Sequence, residues 1–230
     1  MPKRKASTST PVNDENDSQV EKQTTAIVPN GDLYMVFNSN DSESKRLLVS
    51  RYILCLSSKV FDAMVGDSSQ FQEATNPTLS HDGIREVAFN DDDFPAMLMI
   101  MNILHLQHDR VLPRISFTQL RETAMICDKY DLVQSVDLWP ATWAQHYVDR
   151  IEKKAFEDWL LIASVFRQKE AFTKITRHLI VNSKIDANTG ELVTADGFSF
   201  TEGVPSTVVG MKTLHISMPV LTRRREDECC

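Results

Sequence analysis

The chain has 230 residues, 42% of them hydrophobic and 25% charged, with a formal net charge of −7 and a pI near 5.4. This is length enough for one domain with a sizeable core plus extensions. The acidic balance argues against general nucleic-acid binding, which needs a basic surface against phosphates, and no run approaches the ~18 apolar residues of a membrane span.

Residues 1–28 are rich in Ser, Thr, Asn, Asp and Glu and are expected to form a disordered tail, because they bury too little surface to offset ordering. The cluster Pro2-Lys3-Arg4-Lys5 reads as a solvated charged end, with nuclear import as the alternative. Pro29-Asn30-Gly31 marks a turn, Leu33–Phe37 a strand, and Leu47–Val49 its partner across a hairpin-like polar connection. Helical turns follow from Arg51 to about Val65, split by Ser57-Ser58, whose hydroxyls can cap the second helix. Val60, Phe61 and Met64 fall on one face of that helix.

Residues 66–85 read as a loop in which Phe71-Gln72-Glu73 is the one notable apolar–acid combination. Glu86–Phe89 is a short third strand. Asp91-Asp92-Asp93 then precedes Phe94-Pro95, as suits the positive end of a helix. The triplet lacks the glycine and distal glutamate of a calcium loop. Phe94, Met97, Leu98, Met101 and Leu104 recur at helical spacing and predict one buried face. His105, His108 and Asp109 are too few to form a metal site.

Ser116 or Thr118 can cap a helix that buries Leu120, Ala124 and Cys127. At its end, Lys129 is expected to pair with the flanking Asp128 and Asp131. A short helix is expected over Leu132–Trp139. Pro140 opens another, with Trp143, Tyr147 and Ile151 in a stripe. Two further amphipathic helices cover Phe156–Arg167 and Ala171–Asn182. Beyond Ser183, Asp196-Gly197 has the signature of a tight hairpin, Val208–Leu221 is apolar enough to dock, and Arg223–Cys230 is a charged end.

No catalytic constellation stands out. Glycines are scattered at turns rather than grouped in a phosphate loop, and neither a Gly-x-Ser-x-Gly elbow nor a His-Glu-x-x-His helix occurs. Of the four cysteines, Cys55 and Cys127 sit in apolar helical patterns, and no pair has metal-ligand spacing. This usage fits a reducing compartment. With no apolar leader at the N-terminus, an intracellular protein of the cytoplasm or nucleus is expected, with no enzymatic activity, no cofactor and no metal.

Taken in order, these pieces resemble the BTB/POZ domain, from about Gly31 to Val136. Gly31-Asp32-Leu33 is similar to the Asp-bearing start of the family's first core strand, and Leu47–Leu54 to its strand-to-helix segment. Ser57–Met64 resembles the Ser-x-x-Phe-x-x-Met helix, Val87–Met97 the following strand, acidic turn and helix, and Ala124–Leu132 the Ala-Asp-Lys-Tyr-x-Leu helix. The family's Ala-His falls on Val49-Ser50, and Ile103-Leu104-His105-Leu106 stands where Tyr-Thr-Gly is usual. That wording, with Trp139 and Trp143, is similar to the BTB proteins abundant in filamentous fungi.

The resemblance implies an α+β fold: a helical cluster flanked by a small mixed sheet over 29–137, a helical extension over 138–182, and a C-terminal segment over 183–230. It implies a protein-binding role, commonly as a homodimer and in many members as an adaptor that brings a substrate protein to a cullin-based ubiquitin ligase. Phe71 and Glu73 match the loop motif that contributes to cullin contact; the alternative is that Phe71 folds back on the core. Asp32 and Arg51 match a charged pair near the dimer-proximal groove of transcriptional members, or form a structural ion pair. A BTB scaffold or transcription-linked regulator without a ligase role is the competing reading.

Overall fold

The computed structural model describes residues 23–38, 44–69, 71, 73, 76–150, 156–185, 187–188 and 192–194. The fold is α+β. A mixed five-stranded sheet comprises β1 (Gln23–Ala26), β2 (Leu33–Phe37), β3 (Lys45–Val49), β4 (Thr78–Leu79) and β5 (Arg85–Ala88), in the spatial order β1-β3-β2-β5-β4. The described helices are α1 (Arg51–Ser57), α2 (Lys59–Val65), α3 (Phe94–Leu104), α4 (Phe117–Lys129), α5 (Pro140–Ala144), α6 (Phe156–Val165) and α7 (Lys169–Asn182). A separate antiparallel pair joins β6 (Ser183–Ile185) to β7 (Leu192–Thr194).

The middle strand explains the layering. All five residues of β2 are buried, so both faces of the sheet are covered there. Leu33, Met35 and Phe37 point into the main core with Leu47, Val49, Phe61 and the α3 side chains. Tyr34 and Val36 point the other way, into a small cluster with Leu48 and Ile84. That second face is closed by polar groups. The Tyr34 hydroxyl donates to Asp82 at 2.9 Å, and the Arg46 guanidinium lies 4.2 Å from the Tyr34 ring centre while pairing with Glu86 at 3.3 Å. Gly31 lets the turn before β2 pass close to β3: a Cβ there would lie 2.6 Å from Leu48 Cγ.

Several expectations change. Of the polar stretch expected to be disordered to residue 28, residues 1–22 lie outside the described residues, whereas Gln23–Ala26 form β1, which pairs in parallel with β3, and Ile27 is buried behind it. An edge strand needs backbone pairing on one side only, so apolar alternation does not betray it. β5 lies one residue earlier than the Glu86–Phe89 expected. In α3, Ala96, Met97 and every residue from Met99 to Leu104 are buried, so the helix is enclosed by core rather than buried along a single face. Val60 is exposed, and Val65 takes its place beside Phe61 in the core.

Leu132–Trp139 forms successive turns instead of the expected helix. α4 is terminated by Asp131 at φ 50°, and Pro140 has no amide with which to carry a helix forward. α5 is only five residues long; it contains the buried Trp143, whereas Ile151 lies outside the described residues. The expected Asp196-Gly197 hairpin, Val208–Leu221 and the charged C-terminal end also lie outside them. Among the described residues, no helix is long and apolar enough to cross a membrane.

Three helices end in the same way without glycine. After α3, α4 and α6 the chain turns through left-handed residues Leu106 (φ 59°), Asp131 (φ 50°) and Arg167 (φ 53°). In each case the next amide reaches back five residues: Gln107 to Asn102 O at 2.8 Å, Leu132 to Cys127 O at 2.8 Å, and Gln168 to Ala163 O at 2.9 Å. These are Schellman ends, at which glycine is usually placed because a Cβ is strained there. Leu106 is 76% exposed, so its side chain has little packing to lose. Leu106→Gly is therefore expected to stabilise the protein by up to about 1 kcal/mol, which raises Tm by about 2–4 °C for a chain of this size. Calorimetry of the two proteins checks it.

Candidate protein-interaction site

Asp32 and Arg51 are brought together, but their main bond is not the expected ion pair. Asp32 stands just before β2, and its Oδ1 accepts the Arg51 backbone N–H at 2.7 Å. It thereby satisfies the first turn of α1, whose N-cap Ser50 makes no side-chain capping bond. The charge contact between Arg51 Nε and Asp32 Oδ2 is a longer 3.7 Å. The guanidinium instead pairs with Asp67 at 2.7 Å and donates to Val65 O at 3.1 Å. Arg85 donates to the same carbonyl, also at 3.1 Å. Two arginines thus hold the negative C-terminal end of α2. The bond from Asp67 raises the Arg51 pKa further, and Arg51 in turn holds the exposed Asp67 carboxyl below its usual range.

The loop beyond α2 is tied to the helix it leaves. Ser69 Oγ donates to Ala63 O and accepts the Phe71 N–H at 3.1 Å. Phe71 is presented from this anchored turn with its side chain 60% exposed, and Glu73 is exposed two residues on. Phe71 therefore does not fold back into the core.

α1 carries a second apolar feature. Its inner side buries Leu54 and packs Ile53 and Cys55 against the core, next to α2 and α3. Its outer side shows Tyr52, 72% exposed, and Leu56, 75% exposed, one turn apart. Residues four apart on a helix share a face, so the two form a short stripe.

The polar residues that hold these helices are partly ones the sequence reading placed and partly ones it missed. Ser58, not Ser57, caps α2: its Oγ accepts from Val60 N at 3.1 Å and Phe61 N at 3.0 Å. The same hydroxyl donates to Tyr130 O at 2.5 Å. The Tyr130 ring stacks on Phe61 with centroids 4.7 Å apart, and its own hydroxyl donates to Asp92 at 2.6 Å. Burial, and then the Asp92 bond, push the Tyr130 phenol up. Lys129 also turns to Asp92, at 2.9 Å, rather than to Asp128 or Asp131. Neighbours one or two apart on a helix do not face one another. Asp93 is the member of the acidic triplet that caps α3, accepting from Ala96 N at 2.9 Å. Ser116 caps α4, in a reciprocal box with Gln119.

His105 is engaged by backbone on both ring nitrogens, Ser50 N at 3.0 Å and Met101 O at 2.8 Å. His108 packs on Trp139 with ring centres 6.1 Å apart. No cluster of three or more potential metal ligands occurs among the described residues. Burial raises the pKa of both Cys55 and Cys127, which keeps these thiols protonated. Among the described residues, apolar contact and charge are offered at three places: the α1 stripe, Phe71 with Glu73, and the Arg51–Asp67 pair. The comparisons add no identity, since no protein-family model and no curated protein matches the chain.

The two serines make a direct test of the capping assignment. Ser58→Ala removes a helix cap and strips a donor from a buried carbonyl, at an expected cost of about 2–3 kcal/mol. Ser57→Ala is expected to stay within about 0.5 kcal/mol of the parent. Urea denaturation midpoints at unchanged m-value distinguish the two.

Proposed function

We propose that this chain is a BTB/POZ-type interaction module that self-associates through the outer face of α1 and uses the Phe71–Glu73 loop to engage a cullin scaffold. The observation that carries the reading is the pair Tyr52 and Leu56, both more than two-thirds exposed on a helix whose other side is fixed in the core. Large apolar side chains on a rigid element are the usual anchors of an interface. A stripe on one helix is also self-complementary about a two-fold axis, which favours a second copy as the occupant.

The order of elements supports the family assignment. Hairpin strands β2 and β3 lead into the paired helices α1 and α2, then into β5, α3 and α4, over the segments whose residues resemble the family. Phe71 supports the ligase link because an exposed aromatic next to a carboxylate forms a compact hot spot, and the anchored Ser69 turn limits the ordering cost of using it. The protein brought to the ligase would then be held by another surface, with the helices after α5 extending the scaffold contact.

Light scattering after size exclusion tests self-association. The full chain is expected at dimer mass, and Leu56→Asp with Tyr52→Ser at monomer mass with unchanged helical circular dichroism. A parent protein that stays strictly monomeric at high concentration would overturn this part of the reading. The ligase link has its own test: Phe71→Ala with Glu73→Ala should sharply reduce co-purification of a cullin. Unchanged recovery would leave a self-associating scaffold or transcription-linked regulator as the function.

A further inference from the structure

The ring of His105 sits at the junction of three elements, the end of α3, the end of β3 and the first turn of α1. It is 5% exposed. Its hydrogen-bond partners determine its proton. Met101 O can only accept, so Nδ1 carries the hydrogen; Ser50 N can only donate, so Nε2 presents its lone pair. A second proton on Nε2 would turn that contact into donor facing donor. The Ser50 amide would then be left without a partner at the root of a helix whose N-cap has no side-chain capping bond.

We propose that His105 is a proton-sensitive latch for α1: the neutral imidazole fastens the β3–α1 junction to the end of α3, and protonation releases it. Among the described residues, burial and the two backbone bonds act on the ring, and no charged group is placed to stabilise an imidazolium. From the α1 side, the Arg51 guanidinium is committed to Asp67, Val65 O and the more distant Asp32, and the Asp32 carboxylate binds the Arg51 amide. Cys55 on α1 is held as a thiol by its burial. On the chain following α3, His108 packs on Trp139, and Asp109 lies in the exposed turn beyond. From the β3 side, Lys45 is directed to the Phe94 ring and Arg46 to Glu86.

Burial accordingly lowers the His105 pKa below the ordinary 6.5. The sign follows by linkage. Below about pH 6.5 the opened or unfolded chain takes up a proton that the latched form resists, so the latch is fully effective above that pH and weakens as pH falls towards the folded-state pKa. The inference does not depend on the proposed self-association, although the helix it controls is the one that bears Tyr52 and Leu56.

Amide hydrogen exchange of the full chain, corrected for intrinsic rates, tests it. Lowering the pH from about 7.5 to about 5.5 should accelerate exchange at Ser50 to Cys55 by up to about tenfold per pH unit within the window, the limit for one proton taken up on opening. His105→Gln keeps an uncharged acceptor for Ser50 and should abolish the acceleration. An equal acceleration in His105→Gln would overturn the proposal, because the response would then arise from another of the six histidines. Should that variant not fold, nitrogen-15 spectra of the parent ring decide. A neutral Nδ1–H tautomer that titrates below about 6.5 supports the latch, and a ring that titrates at or above about 6.5 overturns it.

Discussion

The structure turns on one hydroxyl. Ser58 Oγ accepts hydrogen bonds from two amides at the start of α2 and donates one to the carbonyl of Tyr130, 72 residues further along the chain. That bond positions Tyr130 so that its ring covers Phe61 and its own hydroxyl reaches Asp92. The start of α2, the approach to α3 and the end of α4 are thereby joined through a single buried path. Each group on it has the donor or acceptor its neighbour requires, and this satisfaction makes a polar chain stabilising rather than costly inside a core. The contribution lies in fixing how three helices meet; apolar burial around Phe61, Met97, Leu120 and Cys127 supplies the larger free energy.

Around this centre, the exposed features are presented by short anchored elements. α1 has seven residues and could not persist alone. It is held by Asp32 at its first amide, by His105 at Ser50 and by Leu54 in the core. The Phe71 turn is tied to α2 by Ser69, and the C-terminal end of α2 is held by Arg51 and Arg85. Such anchoring leaves little conformational entropy to be lost in any contact made by these exposed side chains.

Helical periodicity and cap chemistry made much of this arrangement legible. The buried face of α4, the Ser116 cap, the split between α1 and α2, and the β2–β3 hairpin follow from local patterns of a few residues. The candidate site was less accessible. Phe71 could be singled out as an apolar residue beside an acid, but whether it faced outward depended on Ser69 reaching Ala63. Asp32 and Arg51 could be paired, whereas the dominance of Asp67 could not, since it rests on where the chain goes after α2. Tyr52 and Leu56 carried no signal that separated them from core residues. His105 was considered as a metal ligand and as part of Ile103-Leu104-His105-Leu106, with no sign of a backbone-bonding role. Its two backbone partners lie 55 residues upstream and one turn back, and no spacing rule joins them.

Residue identity by itself determined most of the helices, the β2–β3 hairpin, most of the apolar inventory and the turn residues, because periodicity, capping and proline or glycine placement act within a few residues. Tertiary structure alone decided which faces were covered. It enclosed α3 in core, turned Lys129 to Asp92 rather than to its sequence neighbours, and enlisted the polar Gln23–Ala26 as a sheet edge. The reason is common to all three. Burial and hydrogen-bond partnership depend on what the rest of the chain places opposite a residue, and for this protein those partners arrive from tens of residues away.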